Sequence, residues 1–241
     1  MAAYLAACGP LRHPDYERLV ALAAEPNDGY WVRPHGLDLS KELRSLIVQE
    51  SLARTITEYE PLVVPGLLQC DAYVRAMFRW GSTRPADEIE LRVQARLARQ
   101  GLLHRAEPPI CTFYLQEHAL RTVIGDAEVM GEQLLYLMLT GAQEHCTLWV
   151  VLDSAGPFGA WGGGYRVMDY ERYTPLAYAE SLNVGIFLEQ PEDVATYRGM
   201  LSRLNRAALS EGESRAWLAD LASAYDRAEA TPACPPPSKP G

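Results

Sequence analysis

Three glutamates of this chain lie in apolar surroundings where a carboxyl group could act as a general acid or base. Glu50 stands between two apolar pairs of a helix-like segment, Glu117 follows the strand-like run ICTFYLQ, and Glu180 comes two residues after Tyr178. Carboxylates near strand ends are where an α/β site places its proton donors and acceptors. We therefore take Glu50, Glu117, Glu180 and Tyr178 as candidate catalytic residues. The alternative is that each carboxylate caps a helix, forms an ion pair or is exposed, and Arg54, four residues after Glu50, favours an ion pair there.

The glycine-rich loop GPFGAWGGG (156–164) has flanks that disfavour phosphate binding. A phosphate loop needs Lys and then Ser or Thr after its glycines, followed by a helix, and a dinucleotide loop needs the spacing GxGxxG. Here the glycines lead into the strand-like YRVMDY, so we expect a flap over a pocket with Trp161 as its apolar contact. A simple connection between two strands is the alternative. Together with Tyr59, Tyr178 and Glu180, Trp161 forms the candidate ligand-binding set.

Metal-binding and cofactor-binding patterns are missing from the sequence. The five histidines fall in five separate segments without an HxH or HExxH motif, and the five cysteines form no CxxC pair. We therefore predict no metal site and no cofactor. We interpret the cysteines as reduced thiols in the core of a cytoplasmic protein, because no secretory signal and no apolar run of roughly 20 residues is present.

The charge pattern disfavours direct contact with nucleic acid. The formal net charge is −9, so the summed electrostatic field repels a phosphate backbone. Arg92, Arg96 and Arg99 repeat at helical spacing and could follow phosphates, but they are more typical of the solvated side of an amphipathic helix, with Glu88 one turn before Arg92.

The hydrophobic periodicity predicts an α+β fold in a single domain spanning residues 1–229. Its first part, 1–108, reads as mainly helical, with a loop at 26–38 and helices at 2–8, 13–24, 40–59, 67–80 and 85–104. The part from 109 to 189 should hold a small mixed sheet with strands at 110–116 and 146–153 and three more within 165–190. Asp126 should cap a packed helix. Two helices follow within 190–229, and the Pro-rich tail 230–241 is expected to be disordered.

The stretch VVPGLLQ places a Pro65-Gly66 turn between two apolar runs. Such a pair is typical of a type II turn, which would hold Gly66 at positive φ. The apolar residues on both sides of this turn predict that it is packed against the sheet rather than exposed.

Several segments together resemble the C-terminal domain of actinobacterial Xre-type helix-turn-helix regulators, which are described as antitoxin-like or WhiJ-like. They are, in chain order within residues 15–227, ITEYEPLVVPGLLQCDAYVRAM, ELRVQARLARQGLLHR, YLQEHALRTVIG, GEQLLYL, LAYAES, FLEQPEDVATYRGMLSRL and AALSEGESRAWL. The resemblance implies a sensing or interaction domain. The chain begins at MAAYLAACG, where the family carries its DNA-reading module, so we expect that module to be lost here.

Two functions follow as hypotheses. The first is a stand-alone sensor or interaction domain that acts in transcriptional regulation by binding a small molecule or a partner protein. The second is an enzyme of natural-product biosynthesis, a cofactor-independent isomerase or cyclase that uses an inherited pocket for acid–base chemistry. A homodimer is compatible with both, and neither needs direct nucleic-acid or membrane binding. The resemblance favours the first.

Overall fold

The structure, a computed structural model, describes residues 30–34, 41–81, 85–161, 163–181 and 184–227, with all their side chains except those of 30–34, 41–42 and 161. Its described strands form one seven-stranded mixed sheet in the order β1-β7-β6-β5-β2-β3-β4. In chain order they are β1 (Tyr30–Pro34), β2 (Thr55–Glu60), β3 (Ile110–Gln116), β4 (Cys146–Val151), β5 (Tyr165–Asp169), β6 (Leu176–Ser181) and β7 (Val184–Leu188). Strands β2, β3 and β4 pair in parallel, and the other pairs are antiparallel.

Helices cover both faces of the sheet. They are α1 (Lys41–Leu52), α2 (Asp71–Gly81), α3 (Ala86–Gln100), α4 (Glu117–Arg121), α5 (Ala127–Thr140), α6 (Pro191–Ala207) and α7 (Glu211–Arg227). Among the described residues, none of these helices is both long and apolar enough to cross a membrane.

The side chains of each strand alternate between two hydrophobic cores, one on each face of the sheet. On the first face, residues such as Ile56, Phe113 and Leu148 pack against α2, α5 and α7. On the second face, tyrosines and valines of β2 to β5 pack against α6, which supplies Val194, Leu201 and Leu204. The free cysteines Cys70, Cys111 and Cys146 are buried on the first face, as expected for core thiols.

The α+β class is confirmed, with the five predicted strands in place and the last two described helices closing the chain. Asp126 caps α5 as predicted, because its side chain accepts a hydrogen bond from the backbone N–H of Val129 at 3.0 Å. The sheet is larger than predicted, since two of its strands come from the part expected to be helical. The predictions for residues 2–8, 13–24 and 230–241 lie outside the described residues.

Two element predictions in the first half were wrong. The helix predicted to span residues 40–59 ends at Leu52, and the run TITEYE becomes β2, a central strand. The glutamates at alternate positions make this run as polar as an exposed helix, and for that reason it was not predicted as a strand. In the structure, Glu58 is fully buried. The loop predicted at 26–38 contains β1, which completes the sheet by pairing with β7.

The Pro65-Gly66 turn is buried as predicted, but its predicted geometry was wrong. Gly66 is not among the described glycines with positive φ, and it begins a short 3₁₀ helix, Gly66–Leu68. A Cβ at this position would lie 2.6 Å from Nη2 of Arg99, so any side chain here would have to displace that guanidinium group. This close approach, and not backbone conformation, favours glycine at position 66.

Three glutamine side chains stabilise this buried turn by hydrogen bonding to its backbone groups. Gln69 donates to the carbonyl of Val64 at 2.7 Å, and Gln100 donates to the carbonyls of Gly66 and Gln69 at 3.2 and 2.6 Å. Gln133 donates to the carbonyl of Leu68 and accepts from the N–H of Cys70, at 2.7 and 2.8 Å. The turn is therefore an internal joint between α2, α3 and α5.

Replacing Gly66 with Ala should destabilise the protein by roughly 1–3 kcal/mol, the scale of separating a buried polar group from its partner. The new methyl group would displace the Arg99 guanidinium, which is confined because the Arg99 side chain is only 6% exposed and ion-paired with Glu50. Urea denaturation followed by far-UV circular dichroism measures the change.

Gly199→Ala is the matched control. Gly199 lies inside α6, and a Cβ there meets no atom within 4 Å. This substitution should raise stability by about 0.5–1 kcal/mol, the difference in helix propensity. Equal effects of the two substitutions would contradict the role assigned to Arg99.

Candidate functional site

Acidic side chains collect at one edge of the sheet. Strands β2, β3, β4 and β6 all run in the same direction, so their carboxyl ends meet at this edge. Glu60 and Glu180 lie in the last two residues of β2 and β6, and Glu117 and Asp153 lie within two residues after the ends of β3 and β4. Ligands of open α/β sheets are commonly bound outside the carboxyl ends of strands.

On the first face, seven charged residues form a continuous group that we call the charge cluster. It comprises Glu50 of α1, Glu58 and Glu60 of β2, Arg96 and Arg99 of α3, Arg166 of β5 and Glu180 of β6. The register of the sheet explains its core, because Glu58 lies directly opposite Arg166, and Arg166 lies opposite Tyr178.

The inner part of the charge cluster is closed to solvent. Arg166 donates from Nη2 to Glu58 at 2.7 Å and from Nη1 to Glu50, and it lies over the ring of Tyr178. Glu50 and Glu58 are 1% and 0% exposed, so their charges depend on this guanidinium for compensation. Arg99 adds a second contact, with 3.2 Å between its Nε and Oε2 of Glu50.

The outer part of the charge cluster, which we call the mouth, consists of Glu60, Arg96 and Glu180. Glu180 is exposed and accepts a hydrogen bond from the hydroxyl of Tyr178 at 3.3 Å, while Glu60 and Arg96 are half-buried. Gly164 makes room for Glu60, because a Cβ on Gly164 would overlap Oε2 of that carboxyl group. The mouth thus places two carboxyl groups and one guanidinium group near the surface.

The charge on Arg96 is unmatched at short range. Its Nη1 donates to the amide oxygen of Gln69 at 3.0 Å, and its guanidinium lies over the ring of Phe78. Within the described ranges, no carboxylate lies within 4 Å of it. Burial, and then the neighbouring Arg99, lower the pKa of Arg96 to about 10.

Burial also controls protonation of the glutamates of β2. Burial, and then the charge of Glu58, raise the pKa of Glu60 to about 8, and burial raises the pKa of Glu58 despite the opposing effect of Arg166. Burial lowers the pKa of Arg166, but Glu58 and Glu50 outweigh this and raise it, so the guanidinium stays charged. At neutral pH the Glu58–Glu60 pair therefore retains a proton that Glu60 can present at the mouth.

The structure brings together three of the residues singled out from the sequence, Glu50, Tyr178 and Glu180, within or against the charge cluster. The expected ion pair of Glu50 with Arg54 is wrong, since the partners of Glu50 are Arg166 and Arg99. The expectation of a solvated arginine face is wrong for Arg96 and Arg99, which turn inward because α3 packs over the buried turn.

Tyr59 and Glu117 lie apart from the charge cluster. The hydroxyl of Tyr59, on the second face, donates to Gln116 at 3.1 Å, and Gln116 donates to Asp153 at 2.8 Å. Glu117 accepts from the backbone N–H of Asp153 at 3.1 Å and pairs with Arg121. The Trp161 side chain lies outside the described residues, so its role stays a prediction.

Sequence reasoning missed Glu58, Glu60 and Arg166. The usable signal was the alternation in TITEYE and YRVMD, which places these charges on one face of two strands. Among the described residues, no group of three His, Cys, Asp or Glu side chains is arranged to hold a metal ion.

Comparison with models of protein families shows which family the chain belongs to. The model of a domain of unknown function, DUF5753, matches residues 43–220, which include every residue of the charge cluster. The chain belongs to this family. None of the curated proteins compared with the chain matches it.

Two solved structures share 11% identity with this DUF5753 chain. TrmBL2, an archaeal chromatin protein with a novel mode of DNA binding, has a TM-score of 0.36. The alignment covers 81% of this chain but only 60% of TrmBL2. Nuc, a phospholipase D family member from Salmonella typhimurium, has a TM-score of 0.34, with 75% and 95% covered. At these scores the two likenesses define no function for this chain.

The dependence of stability on pH tests the protonation of Glu60. Its pKa rises from 4.5 in the unfolded chain to about 8 in the folded protein, so the folded state binds the proton more tightly. The resulting stabilisation is fully present below pH 4.5 and is lost as the pH rises to about 8. The free energy of unfolding of Glu60→Gln, measured by urea denaturation across this range, should therefore lack this decline.

Glu117→Gln provides the control, since it removes a carboxyl group at the same sheet edge but outside the charge cluster. A profile flattened equally by both substitutions would contradict the assignment to Glu60.

Proposed function

We propose that this protein is a sensor or interaction domain related to antitoxin-like, Xre-type transcriptional regulators, and that it binds a small polar molecule at the mouth of the charge cluster. The observation that carries the proposal is the unmatched, half-buried charge of Arg96 beside the proton-bearing Glu60. An arginine that has lost part of its hydration without gaining a carboxylate is costly unless a ligand completes it.

The chemistry of the mouth indicates what such a ligand would carry. A carboxylate or phosphate oxygen would pair with the guanidinium of Arg96 and accept a hydrogen bond from protonated Glu60. The exposed carboxylate of Glu180 would accept from a hydroxyl or amino group on the same molecule. Small amino acids and hydroxy acids combine these features.

Native mass spectrometry of the protein isolated from its own cells tests this proposal. We expect wild-type protein to carry a small-molecule mass that Arg96→Gln loses, because a charge-assisted hydrogen bond to an anion contributes roughly 1.5–3 kcal/mol. Arg92→Gln, one turn earlier on the same helix, removes the same charge outside the mouth and should keep the ligand. Equal occupancy in all three proteins would remove Arg96 from the site, and a bound protein in place of a small molecule would favour the partner-binding form of the proposal.

A second candidate function, an acid–base isomerase or cyclase of natural-product biosynthesis, is favoured by one observation. A carboxyl group with a pKa near 8 can both hold and release a proton at neutral pH, as a general acid requires. The test compares the molecules released from wild-type protein and from Glu60→Gln by chromatography and tandem mass spectrometry. An enzyme would release a converted isomer only from wild type, whereas a sensor would release the same molecule from both.

We propose that the described domain does not read DNA directly. The net charge of the chain, −9, opposes a phosphate backbone, and Arg99, whose side chain is only 6% exposed, is paired with Glu50 inside the domain. Fluorescence anisotropy with labelled duplex DNA at moderate ionic strength should show no salt-sensitive binding. Micromolar binding that weakens as salt rises would overturn this prediction.

A further inference from the structure

The second face of the sheet holds a cavity that none of the residues discussed so far explains. It lies between the glycine-rich loop and α6 and has a volume of about 270 Å³. Its lining includes the rings of Phe158, Tyr165 and Tyr197, the thioether of Met200, and the side chains of Asp193 and Thr196. This volume is close to the lower end of the range for small-molecule sites, roughly 300–1,000 Å³.

The hydroxyl group of Tyr165 is buried without a partner. Tyr165 is only 7% exposed, and its hydroxyl makes no hydrogen bond within the described part of the chain. Neighbouring tyrosines are satisfied, since Tyr114 donates to Asn205 at 2.9 Å and Tyr59 donates to Gln116 at 3.1 Å. The hydroxyl oxygen is inaccessible to solvent, so Tyr165 contributes its ring, and not its hydroxyl, to the lining of the cavity.

Asp193 is the charged residue of the lining. In the described residues its carboxylate has no ion pair and no hydrogen bond, although it lies near the Tyr197 ring, whose pKa is raised by burial and then by Asp193. Tyr197 and Tyr165 pack with ring centroids 4.9 Å apart. The nearby cation Arg203 lines a separate cavity of about 130 Å³ that shares Phe158 and Met200.

We propose that this cavity binds an organic ammonium cation with a small apolar body. A carboxylate together with the faces of several aromatic rings recognises a cation through charge and through the ring quadrupoles. The ammonium group pairs with the Asp193 carboxylate beside the Tyr197 ring, and the apolar body packs against Met200 and Phe158. The site lies on the opposite face of the sheet from the mouth of the charge cluster and does not depend on the function proposed there.

Calorimetric titration of the full chain with phenethylammonium tests the proposal, with tetramethylammonium as a second cation and 2-phenylethanol as the neutral analogue. We expect saturable binding of both cations and at least about tenfold weaker binding of the alcohol, because the alcohol lacks the charge that Asp193 recognises. Equal affinity for cation and alcohol, or no saturable binding of either cation at millimolar concentration, would overturn the proposal. These comparisons use wild-type protein, so they do not depend on any variant folding.

Asp193→Asn and Glu192→Gln separate the site from general electrostatics. Each removes one negative charge from the first turn of α6, but only Asp193 lines the cavity. Asp193→Asn should weaken phenethylammonium binding roughly tenfold, and Glu192→Gln should change it less than twofold. Similar losses in both variants would show long-range attraction alone and would refute the assigned site.

Discussion

The Arg166 guanidinium is the constraint on which the first face of this domain depends. It is buried between Glu58 of β2 and Glu50 near the end of α1, so it joins two strands and a helix through one group. Moving these charges out of water costs several kcal/mol, and their attraction offsets the cost only when all three partners are in place. A shift of one residue in the β2–β5 register would turn Glu58 to the other face and leave Arg166 uncompensated. The interaction therefore selects one register and one position of α1.

The buried turn at Pro65-Gly66 extends this constraint to α3. Gly66 lets the Arg99 guanidinium approach the backbone, and Arg99 in turn reaches Glu50. The turn is tolerated inside the protein because the amides of Gln69, Gln100 and Gln133 bond its backbone groups. The segment can therefore bury its apolar side chains Val64, Leu67 and Leu68 in the core without leaving its backbone groups unpaired.

The sequence predicted the parts of the fold that depend on local patterns. Apolar runs such as 146–151 and the Asp126 cap are encoded by neighbouring residues, and they were predicted correctly. Strand β2 was missed because its polarity reflects a partner, Arg166, that lies more than a hundred positions away in the chain. Glu50, Tyr178 and Glu180 could be selected from the sequence as polar groups among apolar residues. Their convergence in one cluster could not be predicted, because it depends on the order of the strands in the sheet. The roles of Glu58 and Glu60 and the inward orientation of Arg96 could not be predicted for the same reason.

The two faces of the sheet are separated only by the backbone of the strands themselves. Tyr59 and Glu60 are consecutive, as are Gly164 and Tyr165, and Tyr59 pairs with Tyr165 across the β2–β5 ladder. A single layer of backbone therefore separates the mouth of the charge cluster from the aromatic cavity. This ladder therefore connects the two proposed binding sites directly, and any coupling free energy between their occupants would be the same in both directions.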